Sequence, residues 1–301
     1  MKKKIALLLS ALSVLLAGCE FRIEWIPPAP SPPPAMEAAE GELAVWFLDV
    51  GQGDSELVQL PGGKTMLIDA GEDYAAPDII EMLEEKEIEK LDYVVATHPH
   101  ADHIGGMEEV LRNVETGCVY LPDKAAKSKT YQSLMEYLGE EEIPVETVQA
   151  GMRLLEEDGL TVDVVAPLRT DYNNTNNVSA VLRLKYKDKA FLFTGDAEKE
   201  AERDILLSGV NIRANVLKVG HHGSDTSSSR GFLRQVSPQY AVISCGEGNT
   251  YGHPKPITIE TLMSFFVRVY RTDQDGTVRF TTDGKSTMQV VTERPDREEA
   301  K

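Results

Sequence analysis

The chain of 301 residues lacks an apolar run of the roughly 20 residues that a spanning helix requires, so no transmembrane channel is expected within it. Basic residues are short too: 31 lysines and arginines face 49 acidic residues, for a net charge of −18. A protein that holds nucleic acid by its phosphates carries a basic stripe, and its lack here argues against extended nucleic-acid contacts. No serine has a triad context, neither Ser55, Ser224 nor Ser244, so no protein nucleophile is expected. Cysteine is scarce at three residues. Beyond Cys19, Cys118 and Cys245 could pair or stay free thiols, and the sequence leaves both open. Histidine is scarce at six, and its placement decides the reading.

His98, His100 and His103 fall with Asp102 inside residues 98–103. Neutral imidazoles suit zinc, iron or manganese, and the carboxylate adds the harder oxygen donor of a hydrolytic metal pair. Residues 91–96 form a β-rich apolar run, and a helix is expected over 107–112. The ligands therefore sit on a strand-to-helix loop, where side chains can converge. One loop histidine is ordinarily just solvated; three with an acid at this spacing point to a two-metal site. His221 and His222 lie in Gly220-His221-His222-Gly223, and His253 lies in Tyr251-Gly252-His253-Pro254, where a plain turn histidine is the alternative.

Through His98, His100, Asp102 and His103 the chain resembles the metallo-β-lactamase-fold hydrolases. Asp196, in Phe193-Thr194-Gly195-Asp196, is similar to the family's aspartate that bridges both metals. Asp69, in Leu67-Ile68-Asp69-Ala70-Gly71, is similar to the early aspartate that orients the metal-binding loop. The strings from Phe47 to Ser55, His221-His222-Gly223-Ser224 and Tyr251-Gly252-His253-Pro254 resemble the ComEC-like branch, the hydrolase domain of competence proteins, and the likeness runs over residues 43–292. It implies an α/β fold, the four-layer αββα metallo-β-lactamase sandwich, with two divalent metal ions, zinc before manganese.

By that resemblance, one metal is held by His98 and His100, the second by Asp102 and His103, and Asp196 is shared. His221 is the expected further ligand, and His222 the expected substrate contact. His253 is a proton donor, a phosphate contact or a ligand. Where many family members place another histidine, residues 173–179 are rich in asparagine; Asn176 and Asn177 either support the site or touch substrate, or are turn formers only. Two cations can bring the pKa of a water toward neutrality, supplying hydroxide as nucleophile, with Asp102 and His253 as catalytic residues. Gln52, Asp54 and Ser55 are cleft residues by resemblance alone. Lys218, Arg230 and Lys255 flank the motifs and are expected to draw a phosphodiester in. With Asp196 where some members use cysteine, β-lactam hydrolysis is a minor outcome.

Three lysines at the start precede an apolar stretch over 5–16 and Leu16-Ala17-Gly18-Cys19, which resembles a bacterial lipobox. The expectation is a signal peptide at 1–18, lipidation at Cys19 and a proline-rich linker within 19–41, favouring polyproline II. A hydrolase domain over 42–293 and a charged tail over 294–301 follow, with no internal repeat. Strands are expected at 43–50, 55–60, 64–69, 91–96, 160–166, 178–186, 190–193, 216–219 and 240–244, with a hairpin over 276–291. Helices are expected at 76–90, 107–112, 131–138 and 198–207. The expected protein is an extracytoplasmic, lipid-anchored metal-dependent hydrolase, a phosphodiesterase acting on nucleic acid or a cell-envelope polymer. Location and acidity suit the envelope polymer better. The alternative is a non-catalytic accessory binding DNA or envelope polymer through a vestigial site. No protein partner can be inferred.

Overall fold

Alternation in the first strand already separates the layers: in β1 (Leu43–Phe47), Leu43, Val45 and Phe47 join one apolar cluster and Ala44 and Trp46 another. Every residue of that strand is buried, as befits a sheet covered on both faces. The structure is a computed structural model that describes residues 41–295. The expected signal peptide, Cys19 and the proline-rich run lie outside the described residues.

The strands continue as β2 (Glu56–Gln59), β3 (Thr65–Ile68), β4 (Lys90–Val95), β5 (Glu115–Pro122), β6 (Val145–Val148), β7 (Arg153–Glu157) and β8 (Leu160–Ala166). Then come β9 (Val181–Tyr186), β10 (Lys189–Phe193), β11 (Val216–Lys218), β12 (Tyr240–Ile243), β13 (Arg268–Arg271), β14 (Val278–Thr282) and β15 (Gln289–Thr292). One sheet runs β15-β14-β1-β2-β3-β4-β5-β6, and the other β13-β12-β11-β10-β9-β8-β7. Between them lies the core that joins Phe47, Phe191, Phe193 and Phe280.

Helices cover both outer faces. On the first sheet, α1 (Ala76–Glu85), α2 (Ala101–Ile104), α3 (Met107–Arg112) and α4 (Lys129–Glu140) bury Ile79, Ile104, Val110 and Leu134. On the second, α5 (Lys199–Ser208), α6 (Arg230–Val236) and α7 (Pro256–Ser264) bury Ile205, Phe232 and Leu262, while α8 (Thr272–Asp275) is a single short turn. Ser128 and Ser229 start α4 and α6 by accepting from the N–H groups of Tyr131 and Phe232, and Gly209 ends α5 at φ 71°. The four-layer αββα sandwich expected of the resemblance is the fold observed.

Within each sheet, β3-β4-β5 and β10-β11-β12-β13 are parallel. Their carboxyl ends deliver the loops carrying Asp69, His98, Asp196 and His221, so the sequence-remote motifs meet at one edge of the sandwich. Some elements differ from expectation. The helix over 76–90 stops at Glu85 because Glu87 turns left-handed (φ 53°) and Lys90 already pairs with Glu115 in β5. The strand over 178–186 opens with a 3-10 turn, Thr175–Val178. Cys118 lies beside the inter-sheet core and Cys245 in the outer core of the second sheet, so both are free thiols. Arg294, placed in the charged tail, donates to Asp49 at 2.8 Å.

Candidate metal centre

The loop after β4 is pinned from behind. Asp69 follows β3, and its carboxylate accepts from the Thr97 N–H (2.7 Å) and Thr97 hydroxyl (2.6 Å), with His103 Nδ1 at 2.7 Å. That fixes the His103 ring with Nε2 turned inward. Gly53 lets the β1–β2 loop close on the same segment: at φ 144°, a Cβ there would lie 2.4 Å from the Asp102 carbonyl oxygen.

Two groups of donor atoms converge, each within 4.8 Å. His98, His100 and Asp196 form the first; His98 Nε2 is 3.0 Å from His100 Nδ1 and 3.8 Å from Asp196 Oδ2. Asp102, His103, Asp196 and His222 form the second; His222 Nε2 is 3.2 Å from Asp102 Oδ2 and 3.5 Å from Asp196 Oδ1. Asp196 thus offers one oxygen to each group. The histidine doublet divides: His222, expected to touch substrate, is buried in the second group, whereas His221, expected as the further ligand, lies 24% exposed beside the first, Nε2 3.7 Å from Asp196 Oδ2. Both residues are left-handed (φ 52° and 51°), so these consecutive rings both turn inward instead of pointing to opposite sides as in a strand.

His103 Nε2 and Asp196 Oδ1 are buried without a hydrogen-bond partner, 3.4 Å apart. A divalent cation satisfies both, and the set of imidazole and carboxylate donors fits zinc or manganese. A third trio, Asp54, Asp69 and His103, is already committed: Asp69 to Thr97 and His103, Asp54 to Lys218. The charges agree. Burial opposes ionisation of Asp196, but His222 and His103 outweigh it and hold the carboxyl well below the usual range. Burial likewise opposes protonation of His222, yet Asp196 and Asp54 raise it to about 10. His98 is pushed well down by burial and by His103. Protons on His103 and His222 balance the acids, and a bound cation exchanges for them.

Several residues support these donors, and of them Glu198 had no signal in the sequence. Asp54 Oδ1 lies 3.1 Å from His222 Nδ1, which is also 3.0 Å from the Ser244 carbonyl oxygen. Glu198 stands 3.1 Å from His221 Nδ1, and the Ser179 hydroxyl accepts from the Asp196 N–H at 3.1 Å. The asparagines divide. Asn176 faces the cleft, its Nδ2 3.4 Å from His221 Nε2 and its Oδ1 without a partner. Asn177 does not: its amide oxygen caps α5, accepting from the Glu198 and Ala201 N–H groups at 3.0 and 3.2 Å. Ser55 is buried and donates to the Asp69 carbonyl oxygen, so it leaves the cleft set, whereas Gln52 stays in it.

The flanking cations also differ from expectation. Lys218 is 1% exposed, with Nζ 2.5 Å from Asp54 Oδ2, so it presents nothing to substrate. Arg230 donates to Ser264 and lies over Phe265, and Lys255 donates to the Tyr251 carbonyl oxygen at 2.7 Å. The cleft itself, about 390 Å³, is lined by Glu72, Asp102, Asp196, His100, His221 and His253 among others. His253 is held near 4 by burial and by His221 and His222, so its ring is neutral at pH 7, with Nδ1 unpartnered. Tyr251, 62% exposed, stacks on it at 5.9 Å. A larger open groove of about 820 Å³ beside Glu84, Glu87 and Glu115 holds, among the described residues, no converging group of histidine, cysteine or carboxylate donors.

A family profile described as the metallo-beta-lactamase superfamily matches residues 48–247. ComE operon protein 3 of Bacillus subtilis is 34% identical over 260 residues, covering 81% of this chain and 33% of that protein. Competence protein ComA of Neisseria gonorrhoeae is 31% identical over 270 residues, covering 89% and 35%. The chain therefore spans about a third of the length of these curated relatives. Among solved structures, CmlA of Streptomyces venezuelae, described as a diiron beta-hydroxylase, aligns with a TM-score of 0.54 at 13% identity over 80% of this chain and 54% of that one. The metallo-beta-lactamase fold protein YhfI of Bacillus subtilis aligns at 0.51, with 13% identity over 80% and 100%. At such identity the likeness is one of fold, and reaction must be argued from the site.

Proposed function

The chain belongs to the metallo-beta-lactamase superfamily of metal-dependent hydrolases, and from that premise we propose that it hydrolyses a phosphodiester with two divalent cations, zinc before manganese. The observation that carries the reading is Asp196, whose two oxygens face two separate donor groups at the carboxyl ends of both sheets. His98, His100 and Asp196 would hold one cation, with His221 and Asn176 beside it; Asp102, His103, His222 and Asp196 would hold the other. A pair of cations so placed lowers the pKa of a water toward neutrality and stabilises charge on the attacking and leaving oxygens.

The chain's own residues set the geometry. Asp69 keeps His103 Nε2 inward, Asp54 and Ser244 do the same for His222, and Glu198 orients His221. Asp102 divides its role between donor and neighbour of the reacting group. His253, neutral at the cleft wall, offers a ring nitrogen to a phosphate oxygen or the leaving group. Because Glu72, Asp102 and Asp196 line the cleft, an anionic substrate is admitted only once the cations are in place.

Relatives named competence proteins support nucleic acid as substrate, whereas the acidic chain and the lipobox-like Cys19 support an envelope phosphodiester. We place the domain outside the cytoplasmic membrane on a lipid anchor. Among the described residues no helix is long and apolar enough to cross a membrane. The test is hydrolysis of bis(p-nitrophenyl) phosphate by metal-stripped protein with zinc or manganese restored, beside Asp102→Asn and Asp196→Asn. Turnover should return with metal and be lost in both variants while they remain folded. Metal-loaded protein without turnover sinks the reading, and polymer binding unchanged by His98→Ala would support the accessory alternative.

A further inference from the structure

A second cavity, about 330 Å³, lies at the amino ends of β10, β11 and β12, the end of the second sheet opposite the metal centre. It shares no lining residue with the metal cleft. Arg183, Lys185, Lys189 and Arg213 surround it, against a single carboxylate, Asp188. In a chain of net charge −18, four cations lining one hollow against a single carboxylate make it a local basic patch.

Their neighbours offset this charge only in part. Arg183 is 9% exposed and points outward from β9, because Leu182, Leu184 and Tyr186 take the inter-sheet face. Its Nε donates to the Arg213 carbonyl oxygen at 2.9 Å, which ties the guanidinium to the loop before β11. Asp163 faces it in register across β8, but that carboxylate accepts from Arg153 Nε at 2.7 Å. Arg183, Lys185, Lys189 and Arg213 make no ion pair among the described residues. Burial pushes the Arg183 guanidinium down and the facing Asp163 offsets this only in part, so its charge is kept at a cost. Asn215 sits beside them, its amide oxygen accepting from the Ala190 N–H at 2.9 Å and its Nδ2 donating to Gln239 Oε1 at 3.4 Å, both residues lining the cavity.

We propose that this cavity is a phosphate-binding site, in which the fork of Arg183 and the charges of Lys185, Lys189 and Arg213 hold the oxygens of a phosphate group. A buried guanidinium flanked by flexible ammonium groups matches a tetrahedral oxyanion in charge and donor number. The phosphate could be the terminal group of a nucleotide or one within a polymer backbone. The site is independent of the proposed hydrolysis and survives the loss of the metal centre.

The decisive experiment is calorimetric titration of inorganic phosphate into the metal-stripped, desalted 301-residue chain and its Lys189→Gln/Arg213→Gln variant. Arg213 is exposed and Lys189 is partly exposed at the start of β10, so the variant keeps the fold. Saturable binding that weakens about tenfold or more in the variant, and falls with added salt, is expected. Arg183→Gln should abolish it. Metal-restored hydrolysis of bis(p-nitrophenyl) phosphate should match the parent in the double variant. A 5′-mononucleotide and an oligonucleotide without terminal phosphates distinguish the two sources. No saturable binding, or equal affinity in parent and double variant, overturns the site.

Discussion

Asp69 holds a left-handed backbone, φ 57°, which costs a non-glycine residue about 1–3 kcal/mol and persists because its carboxylate is over-determined by Thr97 and His103. Burial pushes that carboxyl up, while His103 and Thr97 pull it back. Asp69→Asn turns one acceptor into a donor and removes the charge that orients His103. Metal affinity should fall about tenfold to a hundredfold, measured by competition with a chromophoric chelator, with the fold retained. Equal affinity would show that His103 needs no such support. The histidine doublet is decided at this scale too: a one-residue difference at a left-handed turn separates the buried His222 from the rim residue His221.

Between elements, the contact that locks the site is electrostatic. Asp54 precedes β2 in the first sheet and Lys218 ends β11 in the second, so their 2.5 Å pair bridges the sheets directly behind His222. Burial works against both charges, but Asp54 keeps Lys218 charged and Lys218 holds Asp54 below the usual range. Lys218→Met strands a buried carboxylate and should destabilise the protein by about 3–5 kcal/mol in denaturant unfolding. A loss under ~1 kcal/mol would mean that His222 alone compensates Asp54. A second link joins α5 to the start of α6, where Glu202 accepts from the Ser228 and Ser229 N–H groups. Burial raises its carboxyl above 4.5 against those hydrogen bonds. The folded chain then keeps this proton to higher pH than the unfolded one. Its contribution to stability declines as pH rises from about 4.5 through the raised value and is level above it. Glu202→Gln should flatten that stretch of the stability–pH curve, and an unchanged slope would refute the assignment.

For the whole molecule, the acidic balance and the metal centre act together, because cations neutralise the densest group of carboxylates. Zinc at a hundred times its dissociation constant should stabilise the fold by about 2.7 kcal/mol, a rise in Tm of roughly 5–10 °C that a chelator reverses. A Tm indifferent to metal would show that the donors do not close on a cation. Much of this was legible in the chain itself. Ligands clustered within 98–103, Asp69 and Asp196 after apolar strands, the continuous apolar run of β1 and the alternation in β8 and β9 announced both site and sandwich, since local spacing and strand periodicity act between near neighbours. The edge strand β6, exposed at three of its four residues, and β13, charged at both ends, carry no such alternation and were not legible.

By itself, then, the sequence determined the donor types, their loops and the layered fold, because each depends on residues adjacent along the chain. Only the tertiary structure decided that His222 joins Asp102 and His103, that Asn177 caps a helix while Asn176 faces the cleft, that Lys218 is sealed against Asp54, and that four cations ring a separate hollow. Those outcomes depend on which strand ends meet across two sheets, and the energy that selects them comes from burial and charge pairing between distant segments.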